Sequence, residues 1–248
     1  MSSTDAPPDE PMSDLVVRRA EPGDAAACAD LFTASRLAAG VAFPPSRHSA
    51  DEDRAFVTVR VGGSEVWVAL SDNEPVGYLD LDGAWVHSLY VSPEAQGRGV
   101  GSVLLDLAKA CRPDGFSLWV FATNEPARRL YRRHSLVELE TTDGSGNEER
   151  APDLRMAWPG RAPIACFRSW IDEVDHELAG LVSRRVALTA AVQEYKQMPG
   201  RAGRDPHRER EIAARLAART PDLDTDAWTP LVHLLVETGL DAAERRTR

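Results

Sequence analysis

Along residues 14–160 the apolar positions fall in short runs with strand character. DLVVRRA (14–20), EVWVALS (65–71), PVGYLDL (75–81), AWVHSLYV (84–91), FSLWVFA (116–122), LVELE (136–140) and DLRMAW (153–158) are rich in Val, Leu, Trp and Tyr and are bounded by Gly, Pro and Asp, which predicts strands. Between some of them the period becomes helical. AAACADLFTASRLAAG follows Asp24 as a cap, VGSVLLDLAKA follows a Gly-rich turn, and EPARRLYRRH follows Asn124. The order β-α-α-β-β-β-α-β-α-β-β predicts an α/β (α+β) domain, with a central mixed, twisted sheet and helices on both faces. DGSGNEER (143–150) reads as a loop between the last two strands, a connection that could also flank a cleft.

After Pro159-Gly160 the strand signals stop and a seven-residue rhythm begins at Pro163, a residue suited to a helix start. Ile164, Ile171, Leu178 and Val192 form one apolar column, and Phe167, Val174, Leu181, Leu188 and Tyr195 form the other, up to Pro199-Gly200. Such a helix, roughly 33 residues long, spans about 50 Å. Two shorter helices, 206–218 and 225–244, follow around the TPDLDTD break. The organisation expected is a disordered tail (1–13), an α/β domain (14–160) and a separate all-α three-helix domain (161–248). Three helices in fewer than about 90 residues cannot cover so long a seam, so self-association as a homodimer is expected, with the long helices of two chains interlocked.

Composition narrows the function classes. Hydrophobic residues make up 43% and charged residues 27% of the 248, as in ordinary soluble proteins. No apolar run approaches the roughly 20 residues of a membrane span, and MSSTDAPPDEPMSD lacks the basic start and apolar segment of a secretion signal, so a cytoplasmic protein is expected. Cys28, Cys111 and Cys166 lie far apart, without disulfide or metal-ligand spacing, and read as free thiols with no metal site. The net charge of −10 is carried by residues 1–160, with 15 Lys and Arg against 25 Asp and Glu, whereas residues 161–248 hold 14 of each. That balance argues against nucleic acid, which needs clustered cations. It suits a cationic amine substrate or merely a solvated acidic surface.

Two motifs carry chemistry. In LYVSPEAQGRGVGSVLLDLAKA a strand runs into Gln96-Gly97-Arg98-Gly99-Val100-Gly101 and then an amphipathic helix. Glycines let backbone N–H groups approach a phosphate, and the helix N-terminus adds partial positive charge. The GxGxxG spacing of dinucleotide-binding folds is absent. The segment resembles the acetyl-CoA motif Gln/Arg-x-x-Gly-x-Gly/Ala of the GNAT N-acetyltransferases at Gln96, Gly99 and Gly101. A second motif, Asn-x-x-Ala-x-x-x-Tyr, is matched at Asn124, Ala127 and Tyr131. The resemblance covers about residues 14–160. It implies acetyl-CoA as cosubstrate, with Leu89, Tyr90 and Val91 against the pantetheine arm and Arg98 to Gly101 at the pyrophosphate. It also implies Asn124 as a cofactor-placing residue and Tyr131 as general acid. The bland alternative for Tyr131 is a helix aromatic packed on the sheet. Ser135 and Leu136 depart from the usual Gly-Phe. His87, Asp80 and Asp82 are candidate bases that read more simply as strand or turn residues.

In the second half, Arg185 occupies the apolar column of positions 164, 171, 178 and 192, where a charge is costly without a partner. Arg168 and Lys196 flank the same side of the long helix, and Asp205 and Glu209, four apart, share a face of the next. Converging cations and carboxylates suit a small dianion with hydroxyl groups. The pattern resembles the all-helical (AroQ-class) chorismate mutases over about residues 163–245. The resemblance implies Arg185 and a second chain's Arg168 at the two carboxylates, Lys196 near the ether oxygen, Asp205 and Glu209 at the ring hydroxyl, and Arg208 helping at a carboxylate. The implied reaction is the Claisen rearrangement of chorismate to prephenate, without cofactor. The third helix departs, with Ala243 beside Glu244 where a Gln or Glu is usual, and Gly239 in place of a hydroxyl residue. Three readings of this domain follow: a mutase, an enzyme acting on an amino- or iso-chorismate relative, or a non-catalytic sensing and dimerisation module.

Overall fold

The computed structural model describes residues 15–196, 204–220 and 223–247. The expected tail at 1–13 and the Pro199-Gly200 stop lie outside the described residues. The chain divides into two compact units between Phe167 and Arg168.

The first unit is a seven-stranded sheet: β1 (Val16–Arg19), β2 (Glu65–Ser71), β3 (Glu74–Asp82), β4 (Trp85–Val91), β5 (Phe116–Phe121), β6 (Val137–Thr141) and β7 (Asp153–Trp158). Its spatial order is β1-β2-β3-β4-β5-β7-β6. Every pair is antiparallel except β4–β5, whose parallel pairing requires a crossover, supplied by α3 (Val100–Cys111). Helices α1 (Ala25–Ala39) and α2 (Ala50–Gly63) join β1 to β2, and α4 (Glu125–Arg133) follows β5.

Strand alternation distributes the core over both faces. Val66, Val68, Leu70 and Tyr78 pack with α1 and α2 through Cys28, Phe32 and Val57. Ala69, Leu79, Leu81, Leu118 and Met156 pack with α3 and α4 through Val100, Leu104, Leu105 and Tyr131. Burial pushes the Cys28 thiol up to about 12.

Two expectations are corrected. Asp24 does not cap α1: its carboxylate accepts from Glu21 N (2.7 Å) and from Arg18 Nη1 (2.7 Å), closing the preceding turn. The segment Pro22–Ala42 is also long and apolar enough to cross a membrane by length and composition, at 21 residues and mean hydropathy 1.2. Its apolar face, with Cys28, Leu31 and Phe32, is buried against the sheet.

The second unit is helical. Helix α5 (Pro163–Lys196) starts in the first unit and runs on, followed by α6 (Pro206–Ala217) and α7 (Thr225–Thr247). Asp205 caps α6, accepting from His207 N and Arg208 N at 3.0 Å each. Trp228 Nε1 donates to Thr220 Oγ1 at 2.7 Å, tying the start of α7 to the end of α6. From Arg168 to Arg184, α5 is exposed except at the half-buried Trp170 and Val182.

Candidate active sites

The first site is an opening in the sheet. β3 tracks β4 from Gly77↔Val91 to Asp82↔Trp85, but β4 meets β5 only at Trp85↔Ser117. Beyond that pair the two strands diverge, and Val86 to Val91 on one arm and Leu118 to Phe121 on the other line a cleft of about 1310 Å³. An unpaired strand edge presents N–H and C=O groups to an extended ligand. Leu89, Tyr90 and Val91 lie along that edge.

The Gly-rich turn closes one end. Gly97 and Gly99 take φ of 79° and 89°, a region that favours glycine, and α3 begins at Val100. The first N–H groups of α3 have no partner within the helix, and its dipole adds to them, so Gly99, Val100 and Gly101 sit in a ready anion cradle. Gln96 Nε2 donates to the Val91 carbonyl (3.2 Å), fastening the turn to the end of β4. A Cβ at Gly101 would stand 3.0 Å from Leu130 Cδ2, so glycine here lets α3 and α4 approach. Asn124 Oδ1 accepts from Ala127 N (3.2 Å), so the Asn-x-x-Ala spacing is a helix cap on the cleft wall. Tyr131 lines the cleft and is 7% exposed. Burial pushes its phenol well above the ordinary range, so it keeps its proton at neutral pH.

The candidate bases separate. Asp80 is buried and held by Arg60 Nε (2.6 Å) and Nη2 (2.9 Å); it anchors α2 to β3 and is not among the residues that line the cleft. Asp82 is exposed and shares Arg60 Nη1 at 3.4 Å. His87 lines the cleft, with Nε2 4.0 Å from Asp82 Oδ2.

At the far end the loop at 143–150 flanks the cleft, as its sequence allowed, but the pairings there were not legible in the sequence. Arg36 Nη2 pairs with Glu149 Oε1 (3.1 Å), both mostly buried, and the guanidinium lies 5.2 Å from the Phe32 ring and 5.1 Å from the Phe43 ring. Phe43 packs edge-on to Phe121 at 5.4 Å. The loop after β6 is drawn over this end. His48 Nε2 meets Glu148 Oε2 at 2.7 Å, Asn147 Nδ2 donates to Asp153 Oδ2 at 3.0 Å, and Thr142 bonds Asp153. Arg36 and Glu149, and His48 and Glu148, stand 113 and 100 positions apart, so no local spacing announces these pairs; a polar NEE run inside a Gly-rich loop is their trace in the sequence.

In the helical unit, Arg185 is half-buried and donates from Nη1 to the Leu235 carbonyl (2.7 Å). Burial lowers its pKa, and the field of Glu209 acts against that shift. Glu209 is 3% exposed, gripped by Arg204 Nε (2.7 Å) and Nη2 (3.0 Å) and met by His233 Nε2 at 3.2 Å. Arg204, foremost, holds its carboxyl below the usual range. Asp205 is likewise lowered, first by Arg208 N and least by the charge of exposed Lys196. Arg185, Lys196, Asp205 and Glu209 therefore share one electrostatic neighbourhood. Two predicted residues stand outside it. Arg208 is exposed and pairs with Glu211 at 3.0 Å. Exposed Arg168 lies seventeen positions before Arg185 on α5, about 25 Å along the axis. Arg204 and His233 were not anticipated, being joined to Glu209 only by the turn into α6 and by α7.

Comparison with known proteins matches residues 28–136 to the Acetyltransferase (GNAT) family and residues 167–242 to Chorismate mutase type II. The chain is 33% identical over 97 residues to the uncharacterized N-acetyltransferase YafP of Escherichia coli, covering 38% of this chain and 65% of that protein. It is 33% identical over 95 residues to the peptidyl-lysine N-acetyltransferase YjaB of Salmonella typhimurium, again covering 38% of this chain and 65% of the relative. The solution structure of apo-form YjaB from Escherichia coli covers 59% of this chain and 99% of its own length, with TM-score 0.50 and 23% identity, a likeness of fold.

Proposed function

Because this chain carries a GNAT-family acetyltransferase domain and a type II chorismate mutase domain, we propose that it is a bifunctional enzyme, an acetyl-CoA-dependent N-acetyltransferase and a chorismate mutase. The observation that carries the first activity is the divergence of β4 from β5 beside a protonated Tyr131. The edge of β4 at Leu89 to Val91, which β5 does not pair, would meet the pantetheine arm. The N–H groups of Arg98 to Gly101 would hold the pyrophosphate, and Asn124 fixes the wall through its cap. Acetyl-CoA supplies the activated acyl group. Tyr131 holds a proton for the departing sulfur, and Phe43, Phe121 and Leu118 exclude water where an amine attacks.

In the helical unit, Arg185 binds a carboxylate, Lys196 stands for the ether oxygen, and Asp205 and Glu209 for the ring hydroxyl. Holding the reactive conformer and stabilising charge on the breaking bond is sufficient for a unimolecular rearrangement. A second copy completes the site. Ile171, Val174, Leu178, Leu181, Leu188, Val192 and Tyr195 are 48–91% exposed along α5, and covering them with a partner's α5 also supplies the Arg168 that its own chain holds too far away. A second reading is favoured by buried Ala243, which offers no polar group: the unit binds chorismate or a relative without turning it over.

Purified protein is expected to bind acetyl-CoA and to acetylate members of an amine panel that includes peptidyl-lysine. It is also expected to convert chorismate to prephenate, with Arg185→Ala losing about 10²-fold or more of that turnover. Prephenate formation unchanged in Arg185→Ala removes the site assignment. Chorismate binding without turnover selects the second reading.

A further inference from the structure

A polar stripe follows one face of α5: Arg185, Thr189 and Gln193 at steps of four, with Lys196 one turn beyond. Two contacts set its register against α7. Arg185 donates to the Leu235 carbonyl, and a Cβ on Gly239 would stand 2.9 Å from Thr189 Cβ, Cγ2 and Oγ1. Both helices advance four residues between these contacts, so they run in the same direction at the same pace, and Gln193 falls level with Ala243. Gln193 is 9% exposed, and its Oε1 is buried with no hydrogen-bond partner among the described residues. The small neighbours Ala190 and Ala243 are both buried and have no donor to offer it. The Thr189 hydroxyl already donates to the Arg185 carbonyl (3.0 Å). A leucine would fill this position without an orphaned amide oxygen, which costs stability. Such an atom, about two turns along α5 from Arg185, is satisfied when a ligand brings the missing partner.

We propose that Gln193 is a further substrate-binding residue of the mutase site, taking an uncharged oxygen substituent of the dianion, its ring hydroxyl first, while arginines take the carboxylates. The inference rests on the mutase reading. A carboxamide suits this place because it hydrogen-bonds without adding a charge that would compete with Arg185 or Glu209. The orphan then belongs to the ligand-free state, and stability is given up for recognition.

The test uses the full chain, with chorismate as probe, in wild type, Gln193→Leu and, as a second apolar variant of similar volume, Gln193→Met. Melting without ligand, the chorismate-induced shift in melting, and kcat and KM are measured. The expected result is that both variants melt higher than wild type without ligand, while KM rises about tenfold and the chorismate shift shrinks. A chorismate analogue lacking the ring hydroxyl is expected to bind wild type and Gln193→Leu alike. A side chain with only a structural role would not raise stability and weaken binding together. Undiminished chorismate affinity in either folded variant overturns the inference alone. No chorismate shift in the wild type itself overturns the mutase reading and this inference with it.

Discussion

The two units solve the burial problem differently. In the α/β unit every face of the sheet that carries apolar side chains meets a helix of the same chain, and the cleft is walled by β4, β5, α4 and the loop after β6. In the helical unit α6 and α7 pack together around Ala213, Val232 and Leu240, while α5 leaves Ile171, Val174, Leu178 and Leu181 between 52% and 63% exposed. The cleft of the α/β unit is thus closed by its own chain, whereas the apolar columns of α5 are left uncovered by the described residues. The difference follows from geometry: a sheet presents two broad faces that a crossover chain covers from within, whereas a 34-residue helix outruns partners of 12 and 23 residues.

The largest expected break in that comparison comes from Leu181→Asp. Sedimentation should find a monomer and prephenate formation should be lost, while acetyl transfer stays at the wild-type rate. A dimeric, mutase-active Leu181→Asp protein would mean that the exposed columns are not the interface. Next in size is Tyr131→Phe, expected to lower kcat for acetyl transfer by about 10²-fold with prephenate formation unaffected.

Acid sharpens the comparison further. The Glu209 carboxyl is held below its usual 4.5 by Arg204, so the stability it lends is present above that value and is lost as pH falls through its lowered folded value. Helical-unit melting of wild type should exceed that of Glu209→Gln at neutral pH and converge with it in acid. Curves that stay parallel down to pH 2, roughly two units under the unperturbed value, would deny the ion pair its role. The smallest effect is expected at Ser135, whose φ of 61° is costly for any residue with a Cβ. Ser135→Gly should stabilise the α/β unit by roughly 0.5–1 kcal/mol in urea titration, with no change in the melting of the helical unit.

Much of the architecture was legible because alternation and turn residues act locally. EVWVALS and DLRMAW coincide with β2 and β7, and the seven-residue columns coincide with α5. Helix α2 was implied by the order of elements but assigned to no run, because VTVRV within it alternates like a strand. The capping box of Ser49 with Glu52, and burial of Val57 and Val61 against α1 and the sheet, make it a helix. Asp24 has the residue type of a cap, yet Arg18 and the preceding turn take its carboxylate. The Gly-rich turn into α3 and the Asn124 cap could be read directly because a turn into a helix and a helix cap are built from consecutive residues.

The sequence alone determined the elements, their order and the local chemistry of each turn, because these depend on residues within a few positions of one another. Tertiary structure decided the rest. It set Arg36 against Glu149, paired Asp80 with Arg60, and left the amide oxygen of Gln193 without a hydrogen-bond partner among the described residues. Such pairings join residues brought together only when separate elements pack, and burial then determines whether a charge is matched, displaced in its pKa or left waiting for a ligand.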